Sequence, residues 1–560
     1  MAAPWERVTG RTGRARKLCL SQNMNIIECQ NLSKTFSGRK ETTIALDDVS
    51  FSIPVGRIVG LLGPDGAGKT TLMRLLCGLL RPTRGTATVL GFDSVQDAYR
   101  IQAEVGYMPQ KFGLYENMTV EENLSLYAQL HGVSAEQRTA RYPRLLQLTN
   151  LTRFSDRMAG KLSGGMKQKL NLVCALVSQP KLLLLDEPTV GVDILARREL
   201  WSILQQIARE ESTTVLASTA YMDEADFCDQ TLVLIEGKLI ANQKPDEIKS
   251  LAKPYLADSA GSVAVSSDLL PSEKPYSRKT ATAGEEFEKG FQVLLSGSVA
   301  PPLERKAQFA PNQEALVRAK NLVKTFGSFT AVNNLSFDVR RGEIFGLLGA
   351  NGAGKTTTFR ALCGLSGIDS GEIEICSRKL KANLAFARSQ IGYVAQKFSL
   401  YGDLSVRQNL EFFGGAYGLR SLRLKQRVNW ALESFELTPF AQMDAGKLPL
   451  GFKRRLAMGA ALLHEPPILF LDEATSGADP MARYDFWRRI INLADSGVAV
   501  IITTHFLDEA RYCDRMIVMQ DGVSIACGSA AEIISQSGGA PNLEEAFVRL
   551  IQRENAGVNA

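Results

Sequence analysis

Histidine is scarce. Only His131, His464 and His505 occur in a chain of 560 residues, too few to build a histidine metal centre. The nine cysteines are scattered singly with no CxxC pair, a pattern that fits neither a zinc framework nor a disulfide scaffold; the chain reads as reduced and cytosolic. No run approaches the roughly 20 apolar residues that span a bilayer, and the greasiest stretches, such as "KLLLLDEP", are strand-sized. No apolar segment follows the basic residues at the start, so no secretory signal fits. There Arg7, Arg11, Arg14, Arg16 and Lys17 face a single acid, Glu6. That stretch reads as a disordered leader, although such a tail could also touch anionic lipid or RNA, and Met24 could be the biological start. The net charge of +6 is spread thinly and leans only slightly towards anionic partners.

What is present is a soluble, globular balance: 45% apolar and 22% charged residues. The length calls for several domains at roughly 100–200 residues each, and the organisation follows from self-similarity. Lys69 recurs as Lys355, Gln110 as Gln396, Gly165 as Gly451 and Asp186 as Asp472, each 286 residues on. Beyond the aspartate the offset falls to 285, and upstream the "KTF" ending at Phe36 recurs at Phe326, 290 residues on. Each copy alternates short apolar runs with amphipathic stretches. "GRIVGLLG" and "GEIFGLLG" read as strands entering Gly-rich turns, and "TTLMRLLCGLL" and "TTTFRALCGL" as helices. "KLLLLDEP" and "PILFLDEA" read as strands buried on both faces of a parallel sheet. The expected fold is α/β: two tandem P-loop NTPase domains, each with a mostly parallel core sheet and, by the resemblance given below, a helical subdomain.

The expected organisation is a basic extension over 1–23, a first domain over 24–245, and a small tail plus linker over 246–312. A second domain over 313–535 and a C-terminal tail over 536–560 complete it. "FEKGFQVLL" (287–295) resembles "LEEAFVRLI" (543–551), which places most of the middle segment as a tail on the first copy.

"GPDGAGKTT" spans Gly63, Pro64, Asp65, Gly66, Ala67, Gly68, Lys69, Thr70 and Thr71. "GANGAGKTT" spans Gly349, Ala350, Asn351, Gly352, Ala353, Gly354, Lys355, Thr356 and Thr357. Both fit GxxxxGK[ST], whose glycines let backbone N–H groups wrap a phosphate at a helix N-terminus. Lys69 and Lys355 would neutralise the β and γ phosphates, and Thr70 and Thr356 would offer a hydroxyl to Mg²⁺. Asp186 and Asp472 end buried strands and could hold Mg²⁺ through water; the adjacent Glu187 and Glu473 could polarise an attacking water.

Between P-loop and acid, both copies resemble the nucleotide-binding domains of ATP-binding cassette (ABC) proteins. The resemblance implies that Gln110 ("GYMPQ") and Gln396 ("GYVAQ") are Q-loop glutamines touching Mg²⁺ and sensing a transport partner. It implies that Ser163, Gly164 and Gly165 of "LSGGM" cap a γ-phosphate from the opposite domain. Val192–Asp193 and Ala478–Asp479 match the D-loop, His505 the switch histidine, and Phe36 and Phe326 the aromatic that stacks on adenine; each phenylalanine could instead pack on its neighbours.

In this family two domains meet head to tail. The ATP held by Lys355, with Glu473 and His505, would then be completed by Ser163. The ATP held by Lys69 and Glu187 would face "LPLGF", where Pro449 has no hydroxyl or N–H and Leu450 replaces glycine. Ala220 replaces the switch histidine at that same site. One hydrolytic site and one slow site are expected. The "KFGLYENMTVEENL" and "KFSLYGDLSVRQNL" stretches resemble the exporter branch served by ABC-2 type permeases, in particular a bacterial tandem cassette. That implies two separate membrane permease subunits, efflux of a drug, lipophile or cation, ATP and Mg²⁺ as cofactors, no nucleic acid, and a place on the cytoplasmic face of the bacterial inner membrane. The alternative is a soluble tandem-cassette ATPase acting on ribosomes or nucleic acid.

Overall fold

A computed structural model describes residues 25–37, 42–111, 113–254, 283–297, 301, 303, 305, 313–396, 398–475, 480–504 and 507–558. The first copy holds ten strands. These are β1 (Asn25–Ser37), β2 (Thr42–Pro54), β3 (Ile58–Leu62), β4 (Arg84–Val89), β5 (Phe92–Asp93), β6 (Val105–Met108), β7 (Leu182–Asp186), β8 (Thr214–Thr219), β9 (Gln230–Ile235) and β10 (Lys238–Gln243). The second repeats them as β11 (Ala315–Phe326), β12 (Phe329–Arg340), β13 (Ile344–Gly349), β14 (Ser370–Ile375), β15 (Arg378–Lys379), β16 (Ile391–Val394), β17 (Ile468–Asp472), β18 (Ala499–Thr504), β19 (Arg515–Gln520) and β20 (Val523–Gly528).

Each copy carries two sheets. A four-stranded sheet runs β2-β1-β4-β5, matched by β12-β11-β14-β15, and pairs antiparallel throughout. A six-stranded sheet runs β10-β9-β3-β8-β7-β6, with β20-β19-β13-β18-β17-β16 in the same order. Its strands pair in parallel except at the β9–β10 and β19–β20 edges. The composition explains the difference. β3, β7 and β8 are buried at every residue, as continuous apolar runs must be when both faces are covered, whereas β2 alternates buried and exposed positions along its second half.

The P-loop helix Lys69–Leu76 buries Leu72, Met73, Leu75 and Leu76 within a core shared by both sheets of its copy. A second core gathers the helices Val120–Leu130, Ala135–Leu148 and Gly164–Leu176. The first two open on reciprocal caps, Thr119 with Glu122 and Ser134 with Gln137, each satisfying otherwise orphaned N–H groups. The helix Ala283–Ser296 lays Phe287 and Phe291 on Leu62, Met222 and Ile248 of the first copy. Its counterpart Leu543–Val558 buries Phe547 and Leu550 in the second. Arg305, between the copies, donates to Asp495 at 2.8 Å, Asp514 at 2.7 Å and the Gly342 carbonyl at 2.8 Å.

Candidate nucleotide sites

β3 and β13 each run into a loop only glycine can trace. A Cβ on Gly68 would sit 2.3 Å from the Ala45 carbonyl oxygen, and one on Gly354 2.3 Å from that of Ala331. Both residues have φ near 100°, a region closed to most side chains. The loops curl around their own lysines. Lys69 Nζ donates to the carbonyls of Gly63 at 2.7 Å and Pro64 at 3.1 Å; Lys355 Nζ donates to those of Gly349 at 2.7 Å and Ala350 at 2.9 Å. Burial pulls the Lys355 ammonium below its ordinary range, and Glu473, Asp193 and Asp472 act against that. Of these, Asp193 belongs to the other copy.

The acids are set by a hydroxyl on the neighbouring strand. Ser218 Oγ donates to Asp186 Oδ1 at 2.7 Å and accepts from the Glu187 N–H at 2.9 Å. Thr503 Oγ1 does the same for Asp472 at 2.6 Å and Glu473 at 3.0 Å. Glu187 and Glu473 have φ of 51° and 44°, left-handed values that cost a non-glycine residue about 1–3 kcal/mol and cluster at functional sites. The turn returns Glu187 to within 3.8 Å of Lys69 Nζ. Gln110 Nε2 donates to Glu187 Oε2, and Gln396 Nε2 to Glu473 Oε2, both at 2.6 Å. Burial raises the Glu187 carboxyl above its usual range against the pull of Lys69, and burial raises Asp472.

These residues fit a magnesium ion. Asp186 Oδ2 is buried with no hydrogen-bond partner among the described residues. Each glutamine amide engages its nitrogen, leaving the oxygen as a donor of the kind Mg²⁺ takes. No group of three or more His, Cys, Asp or Glu among the described residues could hold a metal, so an ion here would complete its shell with water and phosphate oxygens.

The two copies meet head to tail. In the second P-loop, the Asn351 N–H donates to Asp193 Oδ2 at 3.3 Å and Asn351 Nδ2 to the Gly191 carbonyl at 3.2 Å. A Cβ on Gly164 would lie 3.7 Å from that same Gly191 oxygen, so the first signature stretch stands next to this seam. Ile194, just beyond Asp193, joins the apolar core of the second copy. At the other seam, Asp65 of the first P-loop lines a cavity of about 310 Å³ with Pro449, Gly451, Phe452 and Arg454. Arg198 Nε of the first copy donates to Glu544 of the second copy's tail at 2.8 Å, and Tyr484 Oη donates to the carbonyl of Pro301, in the segment between the copies, at 2.9 Å.

A family model described as ABC transporter matches residues 46–190 and 332–476. The chain belongs to the ABC transporter family. It is 44% identical to the Escherichia coli (strain K12) protein named "Probable multidrug ABC transporter ATP-binding protein YbhF", over 94% of this chain and 98% of that one. It is 41% identical to a Nod factor export ATP-binding protein I of Burkholderia lata, over 40% of this chain and 74% of that one. Among solved structures, one titled "Structure of ATP binding subunit of ABC transporter" is 29% identical, over 42% of this chain and 99% of that chain, at TM-score 0.40. The two P-loop domains are therefore ABC cassettes that bind ATP, and the chain is an ATPase.

Ser163 caps the helix Gly164–Leu176 by accepting from the Met166 N–H at 3.3 Å. Pro449, in the equivalent place, begins the helix Leu450–Ala461 with no side-chain cap. Phe36 and Phe326 are exposed by 42% and 56%, at the ends of β1 and β11. Phe326 shares with Phe329, Asn351, Lys355, Thr356 and Glu473 a cavity of about 370 Å³, within the range of ligand pockets. Ala220 is buried. His505, Ala478 and Asp479 lie outside the described residues, as does the leader over 1–23. Sequence reasoning missed Ser218 and Thr503, whose hydroxyls at matching positions in "TTVLAST" and "AVIITTH" were a readable signal. It also missed Phe329, which pairs with Phe326 across the β11–β12 hairpin where the first cassette pairs Phe36 with Thr43.

Proposed function

We propose that this chain is the ATP-hydrolysing subunit of an ABC-2 type exporter. It works on the cytoplasmic face of a bacterial inner membrane with two separately encoded multi-span permease subunits, driving efflux of a drug, lipophile or cation. The observation that carries this reading is the head-to-tail seating of the Asn351 P-loop on Asp193 and Gly191: one chain holds both halves of an ATP clamp. No described helix is long and apolar enough to cross a membrane, which supports assigning the pathway to partner chains. Beside the two Q-loops, Tyr115 and Tyr401 are about half exposed. Tyr401 stacks edge-on against exposed Phe412 with ring centroids 5.0 Å apart, a patch suited to a permease's coupling helix.

Within this reading Lys69 and Lys355 neutralise the β and γ phosphates. Thr70, Gln110 and Asp186, and likewise Thr356, Gln396 and Asp472, hold Mg²⁺. Glu473 polarises the attacking water, His505 steadies the γ-phosphate, Phe326 stacks on adenine, and Ser163 with Gly164 and Gly165 completes the site from across the seam. At the other site Glu187, Lys69 and Phe36 play the matching parts, but Pro449 and Ala220 offer no phosphate donors. That site retains ATP and turns it over slowly.

Purification from native membranes tests the partner. Recovery with multi-span permeases is expected, whereas recovery with ribosomes, or with nucleic acid and no membrane protein, overturns the exporter reading.

A further inference from the structure

Strand register brings a hydroxyl to each strand-end acid. Ser218 is the cross-strand partner of Asp186 in the β7–β8 pair, and Thr503 that of Asp472 in the β17–β18 pair, so each shares a sheet face with its carboxylate. Both Ser218 and Thr503 are fully buried. Chemistry fixes the direction of their bonds, because an amide N–H cannot accept and an ionised carboxylate cannot donate. The one hydroxyl proton goes to Asp186 at 2.7 Å or Asp472 at 2.6 Å. The oxygen then accepts from the N–H of Glu187 at 2.9 Å or Glu473 at 3.0 Å; the Glu473 N–H is shared with the Thr503 carbonyl at 3.1 Å. At its far end each glutamate accepts from its Q-loop amide, Gln110 or Gln396. One run of bonds therefore joins Asp, hydroxyl, Glu and Gln in each cassette, and the two ends of that run are the groups that fit magnesium.

We propose that Thr503 and Ser218 are positioning residues that make each nucleotide site a single hydrogen-bonded unit, so that the acid holding magnesium also sets the turn presenting the general base. This role rests on the assignment of Asp472, Gln396 and Glu473, with their counterparts, made above. Glu187 and Glu473 hold left-handed φ of 51° and 44°, a conformation that persists only where the surroundings over-determine it. The hydroxyl is one such constraint, and it is the one shared with the metal-holding acid. With Oδ1 taken by Ser218, Asp186 keeps Oδ2 without a partner among the described residues, so the carboxylate is oriented before an ion arrives. Groups that orient the ligands of a metal matter nearly as much as the ligands themselves, and in a dry site the bonds of such a run reinforce one another. The two copies differ here by one methyl. The branched Cβ of threonine restricts χ1 where serine leaves it freer, so the site of Glu473 holds its hydroxyl the more firmly.

Thr503→Val in the full-length protein tests this, since it removes the hydroxyl and keeps the branched shape. The kcat of phosphate release should fall about tenfold or more, while ATP affinity measured in EDTA stays within about twofold, the mark of a group that acts beyond ground-state binding. Mn²⁺ serves as the metal probe, read by electron paramagnetic resonance with a non-hydrolysable ATP analogue bound. Thr503→Val should weaken one bound Mn²⁺ about tenfold or more, and Ser218→Ala the other. Thr503→Ser restores the oxygen and should bring both kcat and Mn²⁺ affinity back to within about threefold of wild type. Should the valine variant misfold, Thr503→Ala set against Thr503→Ser isolates the same oxygen. Unchanged kcat and Mn²⁺ affinity in a folded variant, a loss that serine does not restore, or a lowered unfolding midpoint alone overturns the positioning role. Wild-type turnover in Glu473→Gln would instead strike the assignment of the base, while the Mn²⁺ affinities still judge Thr503 and Ser218, so the two failures are distinguishable.

Discussion

The two cassettes share every strand, in the same order, and the same hydroxyl clamp on the strand-end acid. They part company where they touch each other. Positions that shape the phosphate loop and hold the strand-end acid are kept in both copies: Gly68 and Gly354 beneath a carbonyl, Ser218 and Thr503 against an aspartate. Around that contact several positions have diverged: Ser163 against Pro449, Gly164 against Leu450, Asp65 against Asn351 and Gln168 against Arg454, with Ala220 against His505 beside them, while Gly191 and Asp193, which bond across it, recur as Gly477 and Asp479. Duplication preserved the fold and let the signature stretch change, at the cost of the side-chain cap that Ser163 gives and Pro449 does not.

The sharpest way to break the comparison is to neutralise each proposed general base in turn. Glu473→Gln should lower steady-state phosphate release by a hundredfold or more, the scale of losing a principal transition-state group (about 2.7–4 kcal/mol). Glu187→Gln should reduce it about twofold at most, leaving the barrier within about 0.5 kcal/mol. Equal losses would make the sites equivalent. Next in size comes the P-loop. Gly354→Ala drives a Cβ against the Ala331 carbonyl at 2.3 Å with φ at 96°, so the loop must move at a cost of about 1–3 kcal/mol. ATP affinity at that site should fall by tenfold or more in equilibrium binding. Gly68→Ala should weaken binding at the other site while turnover stays close to wild type.

Much of this was legible in the sequence because repetition and glycine spacing are local. The P-loops, the buried acid strands and the tail helix Ala283–Ser296, found through its likeness to Leu543–Val558, all lie within short windows. The left-handed turns at Glu187 and Glu473 were not legible, since glutamate carries no preference for φ > 0. They are imposed by the hydroxyl that holds the N–H and by the glutamine that holds the carboxylate. Asp65 and Arg454 were unreadable for a different reason. Alone, each resembles a solvated charge, and only the head-to-tail seating brings a P-loop from one end of the chain to a helix nearly 390 residues away. Phe329 was hidden because register, not spacing, sets it opposite Phe326.

The smaller predictions separate structural from catalytic duty at the diverged positions. Ser163→Ala removes the cap on Met166, worth about 1 kcal/mol of stability. Turnover should fall much further, because the intact site would also lose its donor from across the seam; a stability loss alone, with turnover unchanged, would reduce Ser163 to a cap. Arg198→Ala should have the least effect. Its bonds to Glu544 and Glu545 join the first cassette to the second cassette's tail, but all three side chains are more than a third exposed, and exposed pairs contribute about 0–1 kcal/mol. The unfolding midpoint in urea should shift little, and the shift should vanish at high salt as screening removes the attraction. A large, salt-insensitive loss would mean that the tail helix joins the cassettes through more than these exposed ion pairs.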